Sequence, residues 1–370
     1  MIEGRTEANE RFFTGEAERI AELSRRLAER FVRGGRLLAV GCSPQDWSDA
    51  HHVAVEFVHP VIVGKRALPA LALRTDQLEL LAQPDDALIS FGIDPPAPAG
   101  CLTIGFESGS ADWSFEPPSD DPFVRQELVE TLYHVLWETV HVFLEHLGSS
   151  GAGAGGSSFL YPFLEPGAAD LDSVVDDVAA SVLIKSREIG ELRCRTIGDG
   201  AELTAAATTL QERLDAGGKM LAFGNGGSAT DAMDVVADLQ SAGRRALDLS
   251  ADAAILTALA NDVGPEVLFQ RQIIAHGREG DVALALSTSG GSANILAALA
   301  EARRRGLETI ALVGYDGGRI ASERLADHVI VAPSEYIPRV QEAHATAYHL
   351  LCDAVTGGSR PKPAGQVRVA

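Results

Sequence analysis

Two glycine- and serine-rich stretches carry the residue types that bind a phosphate or a carboxylate. They are residues 219–228 (KMLAFGNGGS) and residues 282–292 (VALALSTSGGS). In each, an apolar run typical of a buried strand ends in glycines before a helical pattern, and Ser228 is the predicted N-cap of the first helix. One such loop is also what an ordinary tight turn looks like. Two of them in one strand–helix array favour an anion-binding cleft at the carboxyl ends of the strands.

Carboxylates and histidines at helical spacing could supply acid–base groups or metal ligands. His52 and Glu56 are four residues apart, as are Asp234 and Asp238. Each pair therefore lies on one face of a helix, where its members could share a metal or a substrate. Asp234 and Asp238 could equally be the solvated face of a helix start.

Each half of the chain also ends in a helical stretch with a Gln and a His. These are Gln126 with His134, and Gln341 with His349. The members of each pair are eight residues apart, about 12 Å along a regular helix. One metal could receive both only if helices of different domains converge, or if the helix begins irregularly. The same side chains could instead form a satisfied polar network on a buried helix.

Strands and helices alternate through the second half of the chain, which predicts a parallel, doubly wound sheet. Helical patterns cover about 171–195 and 199–216, and a last helix covers about 337–355. The predicted strands are 220–224, 245–249, 281–286, 308–313 and 328–332.

The first half shows the same alternation in a shortened form. Its predicted helices are 7–33, 47–59 and 121–147, and its predicted strands are 36–41, 67–73, 86–91 and 101–104. Residues 92–99 are too few and too rich in proline for a helical crossover between parallel strands. This half is therefore predicted to be abbreviated.

The two halves repeat each other at three places, in the same order. The matches are GGRLLAVG (34–41) with GGKMLAFG (217–224), DAHHVAVE (49–56) with DAMDVVAD (231–238), and RQELVETLYH (125–134) with VQEAHATAYH (340–349). We therefore predict a tandem duplication whose first copy has lost parts. In such a copy, His51, His52 and Glu56 could be relics.

The clearest boundary is GSSGAGAGGSS (148–158), whose composition is that of a flexible linker. The predicted organisation is a first domain over 1–147, a linker over 148–170, a second domain over 171–358 and a tail over 359–370.

Composition excludes several classes of protein. The 370 residues suffice for two domains with full cores. No apolar run approaches the roughly 20 residues of a membrane span, and the first residues lack a secretory apolar segment, so we expect a cytoplasmic protein. The net charge of −21 argues against nucleic acid or an anionic membrane as a partner. Four scattered cysteines without CxxC spacing indicate reduced thiols, not a zinc cluster.

Four motifs together resemble phosphoheptose isomerase, a branch of the sugar isomerase (SIS) fold. They are GNGGSxxDAM from 224, GREGD from 277, STSGxSxN from 287 and QExHx4H from 341. The resemblance is close over about 176–356 and weak over 7–147. It implies two SIS-type α/β domains in tandem, each an αβα sandwich around a doubly wound parallel sheet. It also implies a phosphorylated sugar, sedoheptulose 7-phosphate, as the substrate.

By this resemblance, the sugar phosphate is bound by both loops, by an acidic residue after the second strand of the domain and by the Gln of the last helix. On this sequence these positions are Asn225, Gly226, Gly227, Ser228, Asp262, Ser287, Thr288, Ser289, Ser292 and Gln341.

In the family, a His-x3-Glu pair, a Gln and a His hold the metal and serve as acid–base groups. The two copies of this chain keep different members of this set. The C-terminal copy has two aspartates in place of the His–Glu pair, and Pro338 in place of an expected aspartate. The N-terminal copy keeps the pair, but its loops, GCSPQD (41–46) and SFGIDPP (90–96), are not expected to cradle a phosphate. The candidate metal ligands are His52, Glu56, Gln126 and His134 in the first copy, and Asp234, Asp238, Gln341 and His349 in the second.

The resemblance implies an aldose–ketose isomerase that works through an enediol. Glu56 or Asp238 would remove the proton next to the carbonyl, and His349 or His134 would serve the hydroxyl side. A divalent metal, zinc by the resemblance, could polarise the carbonyl oxygens, and no nucleotide cofactor is expected. Because the phosphate loops and the glutamate stand in different copies, we expect catalysis to need both halves.

Two further expectations concern activity and assembly. Loss of the glutamate from the copy that keeps the loops favours an alternative, a non-catalytic sugar-phosphate-binding protein that acts as a sensor or an assembly partner. SIS domains associate through their last helix, as the resemblance implies. We therefore expect a dimer of chains that contains four SIS units.

Overall fold

The computed structural model describes residues 2–61, 65–94, 97–107, 109–148 and 171–357. They fall into two compact units, Met1–Gly190 and Glu191–Ala370. Each unit is built around its own five-stranded sheet. The predicted linker over 148–170, except Gly148, and the predicted tail over 359–370 lie outside the described residues.

The first unit has a parallel sheet with the strand order β2-β1-β3-β4-β5. Its elements are α1 (Ile2–Val32), β1 (Leu37–Gly41), α2 (Pro44–Val58), β2 (Ala70–Leu73), α3 (Thr75–Leu81), β3 (Ala87–Phe91), β4 (Leu102–Gly105), β5 (Trp113–Ser114) and α4 (Pro122–Gly148). The apolar faces of α1 and α4 pack against each other in one core with the sheet. This burial is what holds the two long helices in place.

The connection between β3 and β4 bears on the predicted shortening of this unit. The two strands pair in parallel, with Ala87 opposite Leu102. No helix occurs in the described part of the connection, residues 92–94 and 97–101. The layer that a crossover helix would add is therefore missing there.

The second unit repeats this topology in full. Its elements are α5 (Leu171–Ile197), which the two units share, α6 (Ala201–Asp215), β6 (Met220–Phe223), α7 (Gly227–Ser241), β7 (Ala246–Asp248), α8 (Ala253–Asp262), α9 (Leu268–His276), β8 (Val282–Ser287), α10 (Ala293–Arg304), β9 (Glu308–Gly314), α11 (Gly318–Ser322), β10 (His328–Ala332) and α12 (Ile337–Thr356). The parallel strand order, β7-β6-β8-β9-β10, is that of the first sheet strand for strand. The chain is therefore two tandem, doubly wound α/β copies.

The boundary between the units falls inside α5, after Gly190. Val174, Val178 and Val182 belong to the core of the first unit. Asn9 of α1 donates from Nδ2 to the carbonyl and the hydroxyl of Ser186, at 2.8 Å each. Residues 171–190, which the sequence assigned to the second domain, thus pack with the first unit.

Two elements of the first unit were not anticipated, the helix α3 and the strand β5. Both are short, and β5 has only two residues, Trp113 and Ser114. Neither is long enough to show a periodic pattern of apolar residues in the sequence. None of the described helices is long and apolar enough to cross a membrane.

Candidate active site

The first anion loop joins β6 to α7 at residues 224–226. At Gly224 a Cβ would lie 2.2 Å from the carbonyl oxygen of Ser228, so only glycine lets the helix begin this close to the strand. Gly226 has a φ of +58° and is the N-cap. The prediction of Ser228 as N-cap was wrong, because the helix starts at Gly227 and Ser228 is buried in its first turn. As the first residue of the helix, Gly227 has an N–H without an intrahelical acceptor.

The second anion loop, residues 288–292, joins β8 to α10. The N–H of Gly290 donates to Ser287 Oγ at 3.2 Å, and the N–H of Gly291 donates to Ser289 Oγ at 3.3 Å. Ser292 is the N-cap of α10, but its hydroxyl makes no capping bond. Ser289 is exposed, and Thr288 and Ser292 are half-buried. The Ser287 hydroxyl therefore stabilises the turn, while the hydroxyl residues Thr288, Ser289 and Ser292 are at least partly exposed to solvent.

Asn225 and Asn294 tie the two loops together. Asn225 Nδ2 donates to Asn294 Oδ1 at 3.0 Å, and Asn294 Nδ2 donates back to Asn225 Oδ1 at 2.8 Å. β6 and β8 are neighbours in the sheet, at the point where the strand order reverses and α/β proteins bind ligands. Asn294 is the last residue of the motif that begins at 287, yet sequence reasoning gave it no role, because side-chain pairing across loops leaves no local pattern.

We predict that Asn294→Ala weakens phosphate binding to the second unit by about 5- to 150-fold, since it removes two hydrogen bonds of about 0.5–1.5 kcal/mol each. Calorimetry with inorganic phosphate measures the effect. In an Asn225→Ala background, Asn294→Ala should have little further effect, because the pair is already broken. Equal losses in both backgrounds would show that Asn294 does not act through Asn225.

Asp262 and Asp248, the acidic residues at the ends of α8 and β7, have different surroundings. Asp262, predicted to bind substrate, ends α8 in an exposed position and accepts a bond from Asn261 Nδ2 at 2.7 Å; within the described second unit it has no hydrogen bond to either loop. Asp248, which was not predicted, ends β7. Its Oδ1 accepts from the N–H of Ser250 at 2.6 Å, and the Ser250 hydroxyl reaches the backbone of Gly224 at 3.3–3.4 Å. Burial raises the pKa of Asp248 to about 6.

The acid–base residues of the second unit form a buried cluster between α7 and α12. Asp234 Oδ2 accepts a bond from the Tyr348 hydroxyl at 2.8 Å and lies 3.3 Å from His349 Nε2. Asp238 Oδ2 is 3.9 Å from the same nitrogen. Gln341 is buried about two turns earlier on α12. The aspartates are thus buried against a histidine and are not a solvated helix face.

The first unit repeats this cluster with the other set of residues. His134 Nε2 lies 3.2 Å from His52 Nε2, which is 3.9 Å from Glu56 Oε1. Gln126 and Tyr133 each reach the carboxylate of Asp49, at 3.3 Å. His52, Glu56 and His134 are all buried.

The loop of the first unit is filled by its own carboxylate. Asp46 Oδ2 accepts from the N–H of Ser43 at 2.9 Å and from Cys42 Sγ at 3.2 Å. A Cβ at Gly92 would lie 2.3 Å from the same oxygen, so the carboxylate also fills the space beside the second loop. Burial, followed by the charge of Asp46, raises the pKa of Cys42 to about 12. Asp46 thus forms a capping box with Ser43 at the start of α2, and its carboxylate lies between the two loops of the first unit.

Known proteins resemble the second unit in sequence. A family model described as SIS domain matches residues 195–314. A phosphoheptose isomerase from Geobacter sulfurreducens is 40% identical over 188 residues, which is 49% of this chain and 97% of that protein. A phosphoheptose isomerase from Roseiflexus sp. is 39% identical over 191 residues, 49% of this chain and 91% of that protein.

The chain belongs to the phosphoheptose isomerase family.

Solved structures also resemble nearly the whole chain in fold. The C-terminal domain of glucosamine-fructose-6-phosphate aminotransferase from Francisella tularensis covers 96% of this chain, and the match spans 94% of that domain, with a TM-score of 0.60 and 10% identity. At this identity the likeness concerns the fold alone. It agrees with two tandem SIS units, of which the second carries the phosphoheptose isomerase sequence.

Both buried clusters have the donor chemistry of a metal site of the kind expected from phosphoheptose isomerase. In the group His52, Glu56 and His134, and in the group Asp234, Asp238 and His349, one ligand atom from each residue lies within 4.8 Å of the others. Imidazole nitrogens with a carboxylate suit zinc, and a second carboxylate favours harder cations. Residues of either cluster therefore fit a divalent ion.

Proposed function

We propose that the chain interconverts the aldose and ketose forms of a phosphorylated sugar, with sedoheptulose 7-phosphate as the substrate. The observation that carries the proposal is the arrangement of the second unit. Two anion loops are hydrogen-bonded to each other through Asn225 and Asn294. The helix that starts from the first loop carries the buried carboxylates Asp234 and Asp238. The names of the relatives from Geobacter sulfurreducens and Roseiflexus sp. support the choice of sugar.

In this proposal the phosphate binds the two loops. The hydroxyls of Thr288, Ser289 and Ser292 and the N–H of Gly227 donate to its oxygens. The helix starts of α7 and α10 add the positive ends of two helix dipoles, which favour a dianion. The phosphate thereby fixes one end of the sugar, and the chain of carbons can then reach the cluster. Orientation of this kind supplies a large part of enzymatic rate enhancement.

The chemistry is a proton transfer between neighbouring carbons. Asp238 removes the proton from the carbon next to the carbonyl, and His349 moves a proton between the two sugar oxygens as the enediol forms and collapses. Asp234, in contact with His349 and Tyr348, orients the imidazole. A divalent ion held by the cluster would supply polarisation of the sugar oxygens.

The test is turnover of sedoheptulose 7-phosphate in deuterated water, followed by NMR. An enediol mechanism yields an aldose 7-phosphate that carries solvent deuterium at the second carbon. Sedoheptulose without phosphate is the matched control and should turn over far more slowly, because it lacks the anion that the loops hold. Absence of both product and deuterium exchange in protein that binds the sugar phosphate would reject the proposal.

A second candidate function is sugar-phosphate binding without catalysis. The observation that favours it is the pair Asp234 and Asp238 at positions where the family resemblance implies His and Glu. Aspartate is one methylene shorter than glutamate, and a displacement of about 1 Å in a catalytic group costs on the order of 100-fold in rate. Binding without exchange in the experiment above would support this candidate.

Self-association is also part of the proposal. We expect two chains, and hence four SIS units, to form the active assembly. Light scattering at micromolar concentration should give twice the mass of the chain, and the mass of one chain would contradict the expectation.

A further inference from the structure

A cavity of about 440 Å³ in the first unit lies away from the carboxyl ends of the strands. Its walls are the C-terminal part of α1, residues 100–102 at the start of β4, and residues 112–113 at the start of β5. In a parallel sheet, strand starts lie at the edge opposite the strand ends, where ligands of doubly wound folds bind. The cavity is therefore separate from the candidate active site.

Three arginines from one helical face line this cavity. Arg26, Arg30 and Arg33 are spaced by four and three residues, which places them on the same side of α1 and its end. Arg26 pairs with Glu22 at 2.8 Å. Arg30 Nη1 donates to the carbonyls of Pro84 and Gly100 at 2.8 and 2.7 Å, which fixes its position. Within the described residues, the exposed guanidinium of Arg33 has no hydrogen bond or ion pair.

The charge around the cavity is not balanced by its own walls. Asp112 is the one carboxylate that lines it. Its Oδ2 already accepts from the N–H and the hydroxyl of Thr103, at 2.9 Å each. Because Arg26 is already paired with Glu22, the guanidinium groups of Arg30 and Arg33 face this one engaged carboxylate, in a chain whose net charge is −21. Arginine presents a planar fork that matches phosphate oxygens, so an anion would supply the missing charge.

Trp113 gives the cavity a flat apolar wall. Its ring is half-buried and the guanidinium of Arg19 lies 5.9 Å from its centroid. Indole rings stack on planar bases as well as on cations. The volume is also within the range of about 300–1,000 Å³ that is usual for small-molecule sites.

We propose that this cavity binds a nucleotide, with its phosphates on Arg30 and Arg33 and its base against Trp113. The site is independent of the proposed isomerase function, since it uses neither the anion loops nor the buried clusters. The arginines would otherwise only complement the negative end of the α1 dipole, a role that predicts no ligand.

Calorimetric titration of the full chain with ATP tests the proposal. The chain carries Ser289→Ala and Ser292→Ala, so that triphosphate does not bind the anion loops. We expect Arg33→Ala to weaken ATP binding by 10-fold or more at an unchanged melting temperature, because the Arg33 side chain has no hydrogen bond or ion pair among the described residues. The matched control is Arg187→Ala, an exposed arginine of α5 outside the cavity, which should bind ATP as before.

A second variant tests the proposed contact between the base and Trp113. Trp113→Leu should weaken ATP binding by several-fold and leave the binding of inorganic tripolyphosphate unchanged. Absence of ATP binding at millimolar concentration, or an equal loss in Arg33→Ala and Arg187→Ala, would overturn the site. Equal affinity for ATP and tripolyphosphate would overturn the nucleotide assignment.

Discussion

Asp238→Asn is expected to lower kcat for sugar-phosphate isomerisation by about 10²- to 10⁴-fold, which is what a positioned general base contributes. Asparagine keeps the size of the side chain and removes its basicity. Asp238 lies in the buried cluster, with its Oδ2 3.9 Å from His349 Nε2, and not in either anion loop. The dissociation constant of the sugar phosphate should therefore stay within a few-fold of wild type. Initial rates and calorimetry on the same preparation measure both quantities.

Glu56→Gln is the matched variant, because Glu56 has the corresponding buried position in the first unit. Activity lost only in Asp238→Asn assigns the chemistry to the second unit. Activity lost in both variants shows that both halves are needed, as the sequence led us to expect. Activity lost only in Glu56→Gln would contradict the choice of Asp238 as the base.

The second large effect is expected from the double variant Ser289→Ala with Ser292→Ala. Each hydroxyl would donate to a charged phosphate oxygen, and each such bond contributes about 1.5–3 kcal/mol, or about 10- to 150-fold in affinity. Ser292 is the more informative of the two, because it is an N-cap whose hydroxyl makes no capping bond. Calorimetric titration with sedoheptulose 7-phosphate gives the loss directly.

Thr208→Ala is the control for this variant. Thr208 is an exposed hydroxyl residue of α6 that, among the residues the structure describes, bonds only within its own helix, to the carbonyl of Thr204 at 2.8 Å. Its removal should leave the affinity unchanged. Wild-type affinity in the double serine variant would remove the second loop from the binding site.

The fold was predictable from the sequence wherever a strand is a continuous apolar run. The runs at 220–224 and 281–286 correspond to β6 (Met220–Phe223) and β8 (Val282–Ser287), both fully buried between helices, which is the environment that selects such runs. The matches between the halves predicted a tandem duplication, and the two sheets do share one strand order.

The geometry of the candidate site could be predicted less well from the sequence. The amide pair of Asn225 and Asn294 joins residues that are 69 positions apart, and the contact of Tyr348 with Asp234 spans 114 positions. Such pairings depend on how loops and helices meet in space, so they cannot be predicted from the local sequence pattern. The start of α7 was misplaced because serine is the commoner N-cap, whereas the positive φ at the N-cap Gly226 favours glycine.

The Asp46 carboxylate caps the first loop of the first unit from within the chain, and we expect this to have a thermodynamic consequence for the binding of sugar phosphate. Because this carboxylate is present at every ligand concentration, we expect the first unit to gain no stability when sugar phosphate is added. A ligand that binds only the folded second unit stabilises that unit by about 2.7 kcal/mol at 100 times its dissociation constant. The melting transitions of the two copies should therefore move apart as ligand is added, with one ligand bound per chain.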